Sequence, residues 1–582
     1  MFLKRMGTKS GRARLAVYES YWDAEAGRSR QRSVEALGFV DELEAEHDDP
    51  VAWARGVVER MNAEREAQAQ AVQIEIHPLQ RVDMRSANRR NAGSAIAMAV
   101  YGGLGIEAVL RNHSRGRRHG YDLNAVTRLL VMERIVEPGS KRAAWERRDR
   151  HFLRSEFSDD DVYRALDALA ACNDRICAAM NRSIAKTGAR DMSHVYYDVT
   201  NYYFECDPDE GDEGPRKKGA GKEHRPNPIA RMGLLQDRDG VPIAHKVFDG
   251  NTSDCLTMIP VLAKMKATHG IERVVAVADK GLNCSDNIAA PVAKGDGFVF
   301  SQSLRGTKST AAMKRWATSD EGWDVRDGFR MKSRQGYKTL HVKAEDTADG
   351  TARDVECEVK WVAMWSEKYE RRARHQREKV LERARDLVAH PGNYTRQTHY
   401  GAAAYVKDLR FDDDGNVAEN CELSIDEEAI KEAEKYDGYY LIVTSETGWD
   451  DEQVLDTYRE LWRIEQTFRV SKSDIESRPA FVRSREHIEA HFLTCYIALT
   501  ILRLLQRATG IPASAVREEL SLMCCTSLES NWWIFDHRTA ESDLLADAVG
   551  LPELKRKYLT TGDMRSILGK AKKSGIPQAK RS

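Results

Sequence analysis

The sequence predicts a multidomain α/β protein, for three reasons. The chain has 582 residues, and a single hydrophobic core stops growing well below that length. From Ala92 to about Lys186 the apolar residues recur at three- and four-residue spacing, which indicates helices. After Asp191 the pattern changes to strand-like runs that alternate with helical segments, as in sheets that carry helices on their faces. We therefore expect a helical region followed by a region built on a sheet.

The composition is that of an ordinary globular protein. Apolar residues make up 41% of the chain, charged residues 31%, and the net charge is −1. The ten cysteines form no C-x-x-C pair, so neither a zinc site nor a redox motif is indicated, and reduced thiols of a cytoplasmic protein are expected. The most apolar run, Phe492 to Leu505, is shorter than a membrane span requires. It predicts a buried helix and no contact with a membrane.

The N-terminal part divides into two predicted regions. Residues 1–75 contain a β-hairpin over 12–40, whose strands flank the turn-like DAEAGRS, and then a charged helix from about Asp49 to Gln70. Residues 76–190 are expected to form a helical domain.

The rest of the chain predicts a sheet-based core that an insertion interrupts. Residues 191–304 contain a strand, a hairpin, a helix, the buried strand VVAVAD, a short helix and the strand GFVFSQS. Residues 305–436 alternate short strands with a highly charged helix and are interpreted as a β-rich insertion. Residues 437–510 resume with the strand YYLIVTS and further helix, and residues 511–582 form a helical region with a basic tail. Without the insertion, the order is strand, strand, strand, helix, strand, helix, strand, helix, which matches the ribonuclease-H-like fold.

Two aspartates stand where strands of this core could present them. Asp198 lies in the middle of the strand YYDVTNYYF, and Asp279 ends the apolar run VVAVAD. Carboxylates at the carboxyl ends of sheet strands are well placed to meet in a crevice. For each aspartate taken alone, a turn or capping role is the alternative.

A third acidic candidate lies on a helix predicted from about Asp451 to Ser473. Tyr458, Glu465 and Lys472 recur every seven residues, so on a regular helix they share one face. A neighbouring apolar stripe, which would dock on the sheet, consists of Leu461, Ile464 and Phe468. The alternative is an ordinary amphipathic helix with a charged outer face.

Three carboxylates that converge on one site suit a pair of Mg²⁺ or Mn²⁺ ions, because these hard cations prefer oxygen ligands. Two such ions activate an attacking water or 3′-hydroxyl and stabilise the leaving oxygen in phosphodiester transfer. The candidate chemistry is therefore cleavage and joining of a nucleic acid.

At these residues the sequence resembles the DDE transposases of bacterial insertion sequences, in particular the group with a Y-R-E-K signature (the insertion-sequence family four-like superfamily). The resemblance covers YYDVTNYYFE, VVAVADKGLNCSDNI, KYDGYYLIVTS and YRELWRIEQTFRVSK, in that order. It implies that Asp198, Asp279 and Glu465 are the catalytic, metal-binding acids, with two Mg²⁺ or Mn²⁺ ions. Tyr458 and Lys472 correspond to the signature tyrosine and lysine, which would contact DNA.

The match to the signature is incomplete at one position, and the tryptophan that would stack on a base is not identified. Leu461 stands where the group usually has its signature arginine. The group can also supply an insertion-domain tryptophan that stacks on a flipped base near the cleavage point. Trp361 and Trp365 are the candidates, Trp316 and Trp323 lie upstream, and the sequence does not choose among them. A core position is the alternative for each.

Several basic residues are candidates for DNA contacts. Lys217, Lys218 and Lys222 lie in a glycine-containing loop after the first catalytic strand, and Arg469 follows Glu465 on the same helix. Further clusters occur at 141–152 and in the tail from Lys555. Solvated surface charge is the alternative for any single cluster.

The implied partners are the terminal inverted repeats of the element and a target DNA, bound by a homodimer. The helical domain is the expected reader of the repeats. Two other functions stay open: a metal-dependent DNA nuclease that does not join ends, and a domesticated DNA-binding protein without catalysis. The presence of all three acids argues against the second.

Overall fold

The computed structural model describes most of the chain, in two compact units that comprise Met1–Arg81 and Val82–Ser582. The described residues are 1–7, 11–23, 28–67, 88–117, 120–153, 156–188, 190–205, 214–217, 219, 227–269, 273–305, 309–344, 350–395, 399, 401–412, 415–418, 421–528 and 531–580.

The first unit is a three-stranded antiparallel sheet, in the order β1-β2-β3, that packs against a helix. Its elements are β1 (Phe2–Gly7), β2 (Ala13–Asp23), β3 (Arg28–Phe39), α1 (Val40–Leu43) and α2 (Pro50–Ala67). The predicted hairpin and the helix after it are confirmed, whereas β1 is a strand that the sequence analysis did not predict. Its short basic run FLKRMG becomes a strand because β2 offers it a pairing edge.

The second unit begins with a short strand and five helices. They are β4 (Arg89–Asn91), α3 (Ser94–Gly103), α4 (Ile106–Ser114), α5 (Leu123–Val136), α6 (Lys141–Glu146) and α7 (Asp159–Lys186). The start of α7 is fixed by a capping box, in which the Ser158 side chain and Asp161 exchange hydrogen bonds with each other's backbone. The helical character predicted for this region is confirmed.

Strands of the predicted core follow. The elements are β5 (His194–Tyr203), β6 (Ile229–Asp237), β7 (Pro242–Asp249), α8 (Met258–His269), β8 (Val275–Ala278), α9 (Ser285–Ala293) and β9 (Gly297–Gln302). In the sheet these strands run in the order β7-β6-β5-β8-β9. The pairs β5–β8 and β8–β9 are parallel, and β5–β6 and β6–β7 are antiparallel. This arrangement is compatible with a ribonuclease-H-like domain.

In the region between β9 and the next core strand, three strands join the core sheet, and two others form a small two-stranded sheet of their own. The next core strand is β15 (Tyr439–Thr444). The elements between β9 and β15 are α10 (Ala311–Thr318), β10 (Asp324–Arg326), β11 (Phe329–Val342), β12 (Arg353–Ser366), α11 (Glu367–Ala389), β13 (Val406–Lys407), β14 (Ser424–Ile425) and α12 (Glu427–Glu434). The small sheet consists of β13 and β14. Because β15 pairs with both β9 and β12, the strands β10–β12 extend the core sheet to nine strands.

Helices dominate the C-terminal part. The elements are α13 (Asp451–Arg459), α14 (Trp462–Arg469), α15 (Arg485–Thr509), α16 (Ala513–Leu522), β16 (Cys524–Ser527), β17 (Trp532–Phe535), α17 (Ala540–Ala548), β18 (Tyr558–Thr560) and α18 (Thr561–Lys573). Four short strands form a second sheet in the order β18-β17-β16-β4, so residues before and after the core pair with each other.

Alternation along the core strands sends side chains into two different cores. Val195, Tyr197 and Val199 of β5 face the core that includes α8 and α9. Tyr196 and Tyr202 face a larger core that joins α3–α7 with α13–α18. The helices before the sheet and those after it therefore share one apolar interior.

The helix α15 lies at the centre of that larger core. Among the described residues it is long and apolar enough to cross a membrane by length and composition, as is the bent pair α3–α4 if it is taken as one span. However, 94% of the most apolar stretch of α15 is buried inside the protein. The prediction of a buried helix here is confirmed.

The helix predicted from Asp451 to Ser473 is not continuous. Between α13 and α14 the amides of Leu461, Arg463 and Ile464 bond three residues back instead of four. A π-helical turn, Val470–Asp474, then follows α14. Both departures change the rotation per residue, so the prediction of one continuous helix is wrong, and the seven-residue spacing does not by itself place Tyr458, Glu465 and Lys472 on one face.

Candidate active site

The two candidate aspartates lie side by side on adjacent parallel strands. His194, Val195 and Tyr196 of β5 pair with Val275, Ala276 and Val277 of β8. Continuing this register two residues further places Asp198 opposite Asp279. Neighbouring strands are about 4.8 Å apart, and residues in register point to the same face. The fold therefore presents both carboxylates together, on the face that also carries Tyr196.

The two carboxylates have different surroundings. Asp198 is half-buried, and its Oδ1 accepts a hydrogen bond of 2.7 Å from the amide of Val199. Asp279 is exposed just beyond the end of β8. Its Oδ1 accepts hydrogen bonds from the amide of Lys280 at 2.6 Å and from the hydroxyl of Ser301 at 3.1 Å. Ser301 lies on β9 in register with Asp279, because Val277 pairs with Val299.

Tyr458 stands beside Asp279. Its ring packs against Tyr440 of β15 with 5.5 Å between the ring centroids. Burial raises the pKa of the Tyr458 hydroxyl, the charge of Asp279 adds to this, and hydrogen bonds with Ser301 and Tyr440 oppose it. The phenol is therefore neutral, and it belongs to the same polar group as Ser301 and Asp279.

Glu460 anchors the break between α13 and α14 to the sheet. Its Oε2 accepts a hydrogen bond of 2.8 Å from the hydroxyl of Tyr196, which lies two residues before Asp198 on the same face. Arg238 and Arg463 approach the Glu460 carboxylate at 3.7 Å and 3.4 Å. Burial, followed by the hydrogen bond to Glu460, raises the pKa of Tyr196. Glu460 is therefore already engaged by three partners.

Glu465 is exposed on the outer side of α14, while Ile464 and Phe468 of the same helix are buried. The helix α14 packs on β5, and Thr467 bonds Gln236 of β6 at 3.0 Å. Glu465 thus belongs to a helix that packs on β5, and its own side chain is exposed.

Asp198 and Asp279 are the residues that could hold a divalent metal ion. Asp198 and Asp279 offer adjacent carboxylate oxygens, the donors that Mg²⁺ and Mn²⁺ prefer. In the part of the chain that the structure describes, no group of three or more His, Cys, Asp or Glu side chains could hold a metal ion. The two aspartates fit such an ion, and Glu465 is not gathered with them.

The structure also locates the predicted DNA contacts. Lys472 lies in the π-helical turn with its Nζ 5.5 Å from the centre of the Tyr202 ring, and Arg469 is exposed at the end of α14. Lys217 pairs through its backbone with Ile229 at the start of β6. Lys218 and Lys222 lie outside the described residues.

The position of Leu461 is apolar. Its side chain is 7% exposed and packs in the larger core, so this position offers no phosphate-binding group. Nearby, Arg459 is exposed beside the Phe329 ring, and Arg463 bonds the carbonyl of Arg238 as well as Glu460.

The two candidate stacking tryptophans lie on β12 at different depths. Trp361 is 9% exposed in the α8–α9 core, with the Arg334 guanidinium 5.5 Å from its ring centre. Trp365 is half-buried, with Arg330 at 5.1 Å. Stacking of Trp361 on a base would therefore need a local rearrangement.

The structure draws attention to four residues, Ser301, Glu460, Tyr196 and Trp462, that the sequence did not assign to the site. Ser301 could be found from its position in GFVFSQS, one strand beyond Asp279. The link between Glu460 and Tyr196 carries no local sequence signal, because it joins distant segments. Trp462 is 54% exposed at the start of α14, three residues before Glu465, and an exposed tryptophan beside a charged helix face is a signal that could have been used.

Comparison with known proteins gives one family match. The family described as "Transposase DDE domain" matches residues 207–501, just over half of the chain. The matched segment begins shortly after Asp198 and includes Asp279 and Glu465. No curated protein matches the chain.

Proposed function

Because the chain belongs to the transposase DDE-domain family, we propose that it is a transposase that cleaves DNA at the ends of an insertion sequence and joins those ends to a target. The observation that carries the proposal is the register of Asp198 and Asp279 on adjacent parallel strands of a sheet in the order β7-β6-β5-β8-β9. Asp198 lies within β5, and Asp279 directly follows the end of β8.

Asp198 and Asp279 would hold a divalent ion, Mg²⁺ or Mn²⁺, with Glu465 as the third acid and two ions in the complete site. Such ions supply Lewis-acid stabilisation of the charge that develops on phosphodiester oxygens. Ser301 orients the Asp279 carboxylate through its hydrogen bond, and the Tyr458 hydroxyl belongs to the same hydrogen-bonded group. Glu465, rather than Glu460, is the third acid because Tyr196, Arg238 and Arg463 already occupy Glu460.

The finer assignment follows the same reasoning. The chain belongs with the Y-R-E-K group, and Lys472, Arg469, Lys217, Lys218 and Lys222 contact DNA phosphates. The partners are terminal inverted repeats and target DNA, held by a homodimer in the cytoplasm of a bacterium. The helices before β5 contribute to repeat binding. Trp361 or Trp365 is the candidate for base stacking.

The test is cleavage and joining of a duplex that carries the ends of the element, with Mg²⁺ or Mn²⁺. Asp198→Asn, Asp279→Asn and Glu465→Gln should each abolish both steps and retain DNA binding, because each removes a ligand charge at nearly constant volume. Asp286→Asn is the matched control. This aspartate is partly exposed shortly after Asp279 and pairs with Lys343, so its loss should leave both steps intact.

The products distinguish the possible reactions. Cleavage without joined product would identify a nuclease. DNA binding without cleavage in the unaltered chain would identify a non-catalytic binding protein. Full activity in Glu465→Gln together with loss of activity in Glu460→Gln would make Glu460 the third acid.

A further inference from the structure

The small sheet of the first unit has one face covered by helix and one face open. On the covered face, Leu15 packs with Leu43 and Ala54, and Leu3 lies against the same cluster. On that face too, Arg65 of α2 bonds Glu19 of β2 at 2.5 Å. The helix α2 therefore lies along one side of the sheet.

The strand register assigns the remaining side chains to faces. Residues directly opposite each other on antiparallel strands point the same way, so Leu3 opposite Val17 and Arg5 opposite Leu15 lie on the covered face. The alternate residues form the open face. Its basic, polar and aromatic members are Phe2, Lys4, Arg14, Tyr18, Ser20, Ser29, Gln31, Ser33 and Phe39.

The described strand carboxylates lie on the covered face, which also carries Arg5, Arg28, Arg30 and Arg32. Glu19 and Glu35 lie on the covered face, opposite Arg32 and Val17. On the open face, among strand residues whose side chains are described, there is no carboxylate, whereas Lys4 and Arg14 are basic. Arg12, which directly precedes β2, forms ion pairs with the carboxylates of Asp41 and Glu42. The open face thus has a net positive charge.

The basic side chains of this face lie over aromatic rings and beside hydrogen-bonding groups. Lys4 Nζ is 4.7 Å from the centre of the Tyr18 ring and donates to Gln31 Oε1 at 2.9 Å. Arg14 lies 6.0 Å from the Phe39 ring. Rings hold these cations extended along the sheet instead of letting them fold onto a carboxylate.

Beyond β1 the sheet narrows to a ribbon. The strand β1 pairs with Ala13–Tyr18 alone, whereas β2 and β3 continue to pair as far as Asp23 and Arg28. On this ribbon Ser20, Ser29 and Gln31 are all exposed. Two strands about 4.8 Å apart fit the major groove, which is about 12 Å wide and admits a two-stranded ribbon.

We propose that the open face of the β1–β3 sheet binds double-stranded DNA, with Lys4 and Arg14 on phosphates and the β2–β3 ribbon, through Ser20 and Gln31, on base edges in the major groove. Serine and glutamine carry both donors and acceptors and suit base edges, whereas lysine and arginine neutralise phosphate. The choice of DNA as partner rests on the proposed function, and the surface is additional to the site of the aspartates.

The test compares the full chain with two doubly substituted variants in binding to a duplex, titrated against salt. Lys4→Ala/Arg14→Ala removes two phosphate contacts and should flatten the slope of log affinity against log salt by about two units. The control Arg5→Ala/Arg55→Ala removes the same charge from exposed residues of β1 and α2 on the helix side of the sheet, and its slope should equal that of the unaltered chain.

Two further variants complete the design. Lys4→Arg/Arg14→Lys keeps the charge and should restore the slope, which separates loss of contact from loss of folding. Gln31→Ala should reduce the preference for element ends over unrelated duplex by about tenfold without changing the salt slope.

Each outcome decides between the inference and the proposed function. An unchanged slope in Lys4→Ala/Arg14→Ala, with end cleavage intact, would overturn this surface and leave the transposase proposal standing. An unaltered chain that neither binds nor cuts duplex DNA would overturn both. Equal slope changes in the two double variants would mean that net charge, and not this face, attracts the DNA.

Discussion

Replacement of Ser301 by alanine tests whether β9 orients Asp279. The Ser301 hydroxyl donates to Asp279 Oδ1 at 3.1 Å and is itself buried. A hydrogen bond to a charged group contributes about 1.5–3 kcal/mol. Because Asp279 is exposed and water can replace the donor, we expect a value at or below the lower end of this range, about 1–1.5 kcal/mol, which lowers the rate of end cleavage by about five- to twelvefold.

The assay is single-turnover cleavage of an end-bearing duplex at saturating Mg²⁺, with DNA binding measured in parallel. Ser303→Ala is the control, since its hydroxyl bonds the carbonyl of Arg305 at 3.1 Å. Tyr458→Phe should lower cleavage to a similar extent, and the double variant with Ser301→Ala should show less than the sum, because both side chains act through one hydrogen-bonded group. Cleavage within twofold of the unaltered chain, or an equal loss in Ser303→Ala, would refute the positioning role.

Three other substitutions give distinct outcomes. Glu460→Gln should lower end cleavage by less than about tenfold, because its carboxylate positions α14 through Tyr196 and two arginines; complete loss of cleavage would contradict this. Trp462→Ala should change the free energy of unfolding by less than about 0.5 kcal/mol, since its side chain is 54% exposed, yet weaken binding of distorted DNA ends by about 1–3 kcal/mol if it stacks on a base; unchanged end binding would argue against stacking. Burial beside His491 lowers the pKa of Lys141 from 10.5 to about 7, so the unfolded chain binds the proton more tightly and the free energy of unfolding should rise between about pH 7 and 10.5. Lys141→Met should remove this rise in chemical denaturation curves, and a rise that persists would contradict the assignment.

Much of the aspartate pair could be predicted from local sequence. The aromatic-rich segment YYDVTNYYF and the continuous apolar run VVAVAD indicate strands, and carboxylates near strand ends suggest a crevice. What local sequence cannot supply is the pairing of strands that are far apart in the chain. The register that sets Asp198 opposite Asp279 is a contact of that kind, as is the pairing of β12 with β15 that merges the predicted insertion into the core sheet.

The helix that carries Glu465 shows where a periodicity argument stops. A seven-residue spacing defines one face only if every residue advances by about 100°. The short-range bonds at Leu461, Arg463 and Ile464 are of the 3₁₀ type, which advances about 120° per residue. The seven-residue spacing therefore does not fix a shared face for Tyr458, which packs against Tyr440, and Glu465, which is exposed.

The break has identifiable causes on both of its sides. Glu460 is tied to the sheet by the Tyr196 hydroxyl and flanked by Arg238 and Arg463, while the next residue, Leu461, is buried in the larger core. Glu460 bonds the Tyr196 hydroxyl at the sheet surface, and its neighbour Leu461 fills an apolar space. A tighter helical turn allows both contacts. The leucine at the position of the signature arginine therefore belongs to the break that precedes Glu465 in the chain. For a substitution of Leu461, any change in the geometry of this break must therefore be measured before a change in DNA binding is attributed to a phosphate contact.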